Sequence, residues 1–218
     1  MHLVMFDIDG TLTETMKVDE ECFVRSFKDV FGFADIDTDW SHYPRTTDSG
    51  IFHDVFTSRI GRSPTAQEVS RFCQHFIQLL AAASSQSPFA PVAGADRLLS
   101  RLAQGGSHRV SLATGGWRDS ARLKMASAGM CFDDHPAASA DDALHRESIM
   151  RLSKQRAAQR YGGHLLAPCM LVTGFGMLVH VAVLVFRSLA LARGFERHDC
   201  PRRALFVSPL ISVTRLRF

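Results

Sequence analysis

HLVMFDIDGTLT, residues 2–13, is the stretch on which the rest of the chain turns. Its first half is a continuous apolar run with no polar alternation. That pattern fits a strand buried on both faces of a parallel sheet. The run stops at two carboxylates, Asp7 and Asp9. In an open parallel sheet the loop after a strand's C-terminal end is where ligands bind. If the backbone stays extended through Ile8, the two acids point to the same side. Gly10 lets the chain turn sharply beside them, and Thr11 adds a hydroxyl and a backbone N–H. Two carboxylates so placed suit one of two tasks. They can hold a hard cation such as magnesium through oxygen, or one can be a nucleophile while the other carries a proton.

Working outward, residues 16–83 show helical spacing three times over. Val18, Cys22, Phe23, Phe27, Val30 and Phe31 form one stripe, closed by Gly32. Ile51, Phe52, Val55, Phe56 and Ile60 form a second. TAQE at 65–68 is a capping box that opens a third, with Val69, Phe72, Cys73, Phe76, Ile77 and Leu80 on one face. The Ser/Pro/Gly-rich segment 84–94 reads as a loop. After it the pattern alternates: helix 95–104, strand 109–113, helix 118–128, a short strand around 137–140, helix 145–160. Such alternation predicts an α/β core with a parallel sheet. The expected organisation is therefore a discontinuous core of residues 1–15 and 84–164, interrupted by an all-helical insertion at 16–83 and followed by an atypical segment at 165–218.

Composition supports a folded, reduced chain. Of 218 residues 46% are hydrophobic, and the formal charge is +3. That charge is uneven: residues 1–164 are net −2 and residues 165–218 net +5. The C-terminal bases are dispersed arginines without an aromatic platform, which disfavours single-stranded nucleic acid as a partner. Cys22, Cys73, Cys131, Cys169 and Cys200 are odd in number and contain no CxxC pair. Free thiols in the cytoplasm are expected, rather than a disulfide framework or zinc. Asp7 and Asp9 interrupt the first apolar run, so it does not read as a signal peptide.

FDIDGTLT resembles the first signature of the haloacid dehalogenase superfamily. The resemblance implies a Rossmann-like parallel core with a helical cap, and a magnesium-dependent phosphatase. It casts Asp7 as the nucleophile that becomes an aspartyl-phosphate, and Asp9 as the acid that protonates the leaving group and later activates water. The Asp7 side chain and the Asp9 main-chain carbonyl would ligate magnesium, with Gly10 and Thr11 lining the phosphoryl site. An acid at position 9 points to phosphoryl transfer rather than carbon–halogen cleavage. SLATGG, 111–116, is similar to the second motif, which implies that Thr114 and the Gly115 N–H hold phosphoryl oxygens. ADDALHRESI, 140–149, looks like the variant third motif in which Arg146 supplies the fixed cation. An insertion at 16–83 matches the phosphoglycolate-phosphatase-like and β-phosphoglucomutase-like branch, in which the cap closes over a small phosphorylated metabolite. Thr47, in RTTDSG at 45–50, is a candidate substrate reader, or else Thr47 or Asp48 is simply a helix N-cap. A monomer or homodimer is expected; a phosphomutase or a catalytically impaired member are the alternatives.

The fourth motif of that family, a strand followed by an acidic loop, is missing. MLVTGFGMLVHVAVLVF at 170–186 holds no acid, and none appears between residue 165 and Glu196. Read one base out of frame, this stretch can encode Gly-Asp-Gly, an apolar residue, then Trp-Asp-Ala-Arg, which is what the missing motif looks like. A one-base shift near 163–170 is the expectation, testable by sequencing the gene. The rival readings are a membrane span over 165–186, or a short buried strand at 169–173 followed by an apolar helix.

Overall fold

The computed structural model describes residues 2–162, 166–175 and 178–182. The first strand, β1 (His2–Phe6), is followed by α1 (Met16–Phe31), a short 3-10 turn at Trp40–His42, α2 (Asp48–Ile60) and α3 (Ala66–Gln86). Then come α4 (Ala95–Gln104), β2 (His108–Ala113), α5 (Arg118–Ser127), β3 (Ala137–Ala138) and α6 (Arg146–Tyr161). Two further strands, β4 (Leu166–Phe175) and β5 (Leu178–Ala182), complete a five-stranded sheet of order β3-β2-β1-β4-β5. β1 is central and parallel to both β2 and β4, while β5 is antiparallel to β4.

The unbroken apolar run of β1 has a direct cause. Val4 and Phe6 pack with Leu99 of α4 and Ala121 and Met125 of α5 on one face. Leu3 and Met5 pack with Ile149 and Ala157 of α6 on the other. Chain order reverses at β1, so the crevice beyond the C-terminal ends of β1 and β4 is where such a sheet places a ligand. Asp7 is the first residue past β1.

The three insert helices form as their spacing predicts, and they share one aromatic core. Phe23, Phe27, Phe52, Phe56, Phe72 and Phe76 are buried together, and the Phe27 and Phe72 rings lie 4.6 Å apart. Thr65 and Glu68 make the capping box in both directions. The insert is not isolated from the sheet: Trp117, just before α5, enters the same cluster. Two boundaries differ from the sequence reading. α3 runs on to Gln86, because the Ser84 hydroxyl donates to Ser127 and the Ser85 hydroxyl back-bonds to Ala81, so the serines serve as helix residues. β3 is only two residues long, because the backbone turns at Ser139, whose N–H and hydroxyl donate to Asp142 and Asp141.

The 170–186 stretch begins as strand, in agreement with the strand read at 169–173. The apolar helix that this rival reading placed after it is corrected: residues 178–182 pair with 171–175 as a hairpin. The β-branched alternation of LVHVA favours a strand over a helix. Among the described residues no helix is long and apolar enough to cross a membrane. Residues 163–165, 176–177 and 183–218, with the remainder of the atypical segment and the expected frame change at its start, lie outside the described residues.

Candidate active site

Asp7 and Asp9 are half-buried, and Ile8 between them is fully buried in the core. This is the alternation needed to bring two carboxylates to one side of the loop. Gly10 holds φ 69°, and its N–H donates to the Thr13 carbonyl at 2.8 Å, closing the loop behind the acids. Thr11 is buried there, its N–H on the Ile8 carbonyl at 3.0 Å.

Each acid has its own cation. Arg146, at the start of α6, donates to Asp7 Oδ2 at 3.1 Å and to the Thr46 carbonyl at 3.0 Å. The Asp7 carboxylate holds this guanidinium firmly charged. Its plane lies against Gly115: a Cβ built there would stand 2.6 Å from Arg146 Nη2. Only a glycine leaves room for that approach. Thr114 is buried, and its hydroxyl accepts from the Gly116 N–H at 3.0 Å. Asp7, Thr114, Gly115 and Arg146 line a cavity of about 60 Å³, floored by Ala113 and Ile149.

Asp9 is held differently. Its Oδ1 accepts from the Thr15 hydroxyl at 2.5 Å, and its Oδ2 meets Lys124 Nζ at 2.7 Å. Lys124 is fully buried and is also 2.7 Å from Asp19 Oδ1, in the first turn of α1. Burial alone would lower the lysine, but Asp19, Asp9 and Asp48 outweigh it and keep it charged. Burial pushes the Asp19 carboxyl up to about 6, and pushes Asp48 well above the usual carboxylate range.

The insert docks directly on this loop cluster. The Asp48 N–H donates to the Gly115 carbonyl at 2.8 Å, and Asp48 Oδ2 accepts from the Trp117 N–H at 3.1 Å. The Ser49 hydroxyl donates to the Ala140 carbonyl and accepts from Trp117 Nε1 at 2.7 Å. Asp142 accepts from Arg118 and Arg156 and fixes the turn that leads to Arg146. The Arg156 hydrogen bond first holds its carboxyl down at about 2.

Residues 1–172 match the family model of haloacid dehalogenase-like hydrolases. The chain belongs to that family. Solved structures with the same fold include a hydrolase from Pseudomonas syringae, at TM-score 0.58 and 17% identity over 72% of this chain and 71% of that one. CbbY from Rhodobacter sphaeroides, solved in complex with phosphate, aligns at TM-score 0.57 and 18% identity over 80% and 87%. No curated protein matches the chain.

Within this haloacid dehalogenase-like hydrolase, Asp7, Thr114, Gly115 and Arg146 come together around one cavity, and Asp9, Gly10 and Thr11 belong to the loop beside it. Thr47 is placed elsewhere: its hydroxyl caps α2 by accepting from the Gly50 N–H and donates to the Leu144 carbonyl. Lys124 was not singled out by the sequence reading, and Asp48 only as a helix N-cap. A signal existed for Lys124, since Ala121 and Met125 mark the buried face of α5 and a lysine stands between them.

Members of this family generally use magnesium. A hard divalent cation takes six or more oxygen ligands, several of them carboxylates. Here the Asp9 carboxylate is spent on Lys124 and Thr15, and Asp7 accepts from the Ile8 N–H and Arg146. Among the described residues no cluster of three His, Cys, Asp or Glu could hold a metal ion. One side chain and one carbonyl are too few, so the donor set described does not by itself fit the ion. The register marks where a further ligand would be needed. Phe6 pairs with Val172, so the next step along the pair sets Asp7 beside Thr173.

Proposed function

We propose that the chain is a phosphatase acting on a small phosphate monoester through an aspartyl-phosphate on Asp7. The observation that carries this reading is the cavity in which Asp7 meets Arg146, Thr114 and Gly115. An Asp7 oxygen attacks phosphorus as the bond to the ester oxygen breaks. Asp9 gives that oxygen its proton. Asp9 then takes a proton from water, which attacks the aspartyl-phosphate and frees inorganic phosphate and Asp7. Arg146 offsets the charge of the phosphoryl oxygens, and the Thr114 hydroxyl and Gly115 N–H donate to them. The helical insert acts as the cap, excluding water and reading the leaving group. The phosphate bound by the Rhodobacter protein of the same fold agrees with this reading.

A second reading is favoured by the incomplete metal-ligand set. The chain keeps the phosphoryl site but turns over slowly, because the fourth-motif acid is absent at the position beside Asp7. The magnesium dependence of the family then belongs to a frame-restored protein more than to this one. Both readings are tested by hydrolysis of p-nitrophenyl phosphate across a magnesium titration, for this chain, Asp7→Asn and the frame-restored chain. The expected order is restored chain fastest, this chain slower, Asp7→Asn inactive. Equal rates for the first two would remove the account of the missing acid.

A further inference from the structure

A lysine in the interior of an α/β core is expensive. Removing an ammonium from water costs several kcal/mol unless it is well paired, and an apolar side chain of the same length often serves stability as well or better. Lys124 is nonetheless fully buried on α5, a helix whose Ala121 and Met125 are buried too. Its Nζ is equidistant, at 2.7 Å, from Asp9 Oδ2 and Asp19 Oδ1. A third carboxylate faces the same space. A Cβ added to Gly116 would stand 3.6 Å from Lys124 Nζ and 3.6 Å from Asp48 Oδ2. Four elements therefore converge on one ammonium: the loop after β1, the first turns of α1 and α2, and α5 itself. Two of the three acids, Asp19 and Asp48, belong to the insert, and only Asp9 belongs to the reactive loop.

This arrangement is not the one that maximises stability. Three carboxylates on one cation leave negative charge in excess, and the Asp19 and Asp48 carboxyls are pushed upward by burial first and by their acidic neighbours after it. What it does provide is a link. Asp9 Oδ1 is held by Thr15, the residue just before α1, and Oδ2 by Lys124 of α5, which α1 grips through Asp19.

We propose that Lys124 is a positioning residue that ties the seating of the helical insert, through Asp19, to the orientation of the Asp9 carboxylate. This rests on Asp9 being the proton carrier of the proposed phosphatase. When α1 is seated, the ammonium is shared between Asp19 and Asp9 and fixes where Asp9 points. When α1 shifts, Asp9 loses that orientation.

The test uses Asp19→Asn and Lys124→Met in the full chain, with hydrogen exchange, thermal melting and p-nitrophenyl phosphate kinetics at pH 7.5. A purely structural contact moves stability and turnover together. A positioning contact separates them. Asp19→Asn is expected to melt at or above the wild-type temperature, because it relieves crowded negative charge. Its kcat is expected to fall about tenfold with KM within about twofold, as misplacement of a catalytic group does. Amides 8–15 are expected to exchange faster. Lys124→Met is expected to show the same separation of kcat from KM with a larger fall. If it does not fold, Asp19→Asn alone decides. An Asp19→Asn protein with wild-type kcat and unchanged exchange at 8–15 overturns the proposal while leaving the phosphatase intact. A wild type that hydrolyses nothing removes the phosphatase reading instead. The exchange result then stands by itself: faster exchange supports the tie and unchanged exchange ends it.

Discussion

Asp7 and Asp9 stand two residues apart in one loop and each meets one cation, yet their surroundings are opposites. Arg146 is half-exposed beside Asp7, 47% of its side chain accessible, whereas the side chain of Lys124 beside Asp9 is wholly inaccessible. The first pair opens on a cavity and can be reached by a phosphoryl group. In the second pair only the lysine is closed off; the Asp9 side chain keeps 22% of its surface accessible, against 15% for Asp7. The accessible cation can exchange partners during a reaction; the buried one holds Asp9 in place. In the proposed mechanism Asp7 meets the phosphorus beside the accessible cation, while Asp9 carries the proton from an orientation that the buried cation fixes.

The comparison breaks most plainly at Asp7. Asp7→Asn keeps the shape and removes the nucleophile, so p-nitrophenyl phosphate hydrolysis is expected to fall by about 10³-fold or more. Melting should hardly change. Activity that survives this substitution would place the chemistry elsewhere.

Gly115→Ala probes the accessible pair from its other side. The new Cβ would collide with the mobile end of Arg146 rather than with backbone. The fold should persist while the guanidinium is displaced from Asp7. A loss of about tenfold in kcat/KM, or about 1.4 kcal/mol of barrier, is the expected size. Unchanged kinetics would mean that Arg146 does not work from the position seen.

The turn that delivers Arg146 is sharpened by Asp142→Asn. Asp142 is held low, at about 2, chiefly by its hydrogen bonds to Arg156. A depressed carboxyl stabilises the fold above its unfolded value of 3.8 and loses that contribution as pH falls toward 2. Asp142→Asn is therefore expected to cost about 1–2 kcal/mol at pH 7, after allowance for partly exposed arginine partners. The difference from wild type should shrink in acid; a gap independent of pH would deny the ion pair its role.

Asp19 has the opposite sign and a smaller expected effect, because Lys124 offsets part of its burial. Its folded value of about 6 lies above 3.8. The stability it confers is complete below 3.8 and is lost as pH rises to about 6. Asp19→Asn should flatten that decline in melting temperature. A decline of equal steepness in the variant would assign the pH dependence to another group.

Much of this was legible in the chain itself. The unbroken run before Asp7 announced a strand covered on both faces, because only that environment tolerates apolar residues on both sides of the pleat. The phenylalanines of 16–83 announced three helices by their spacing. Arg146 was identifiable because it follows a strand end at a helix start. Lys124 was less visible, since pairing with Asp9 and Asp19 arises from residues more than 100 positions away. Helical periodicity reports which face is buried, not which charge waits there. The hairpin at β4 and β5 was hidden for a related reason: a short apolar run suits a strand or a buried helix, and only pairing decides.

The most direct test is to trap the proposed intermediate. The chain is mixed with a phosphate ester, quenched in acid within the first turnover, and its peptides are examined for a phosphoryl group. The account predicts a hydroxylamine-sensitive phosphoryl adduct on the peptide containing Asp7, and none in Asp7→Asn. Turnover accompanied by a phosphoryl group on another residue, or by none at all, would contradict it.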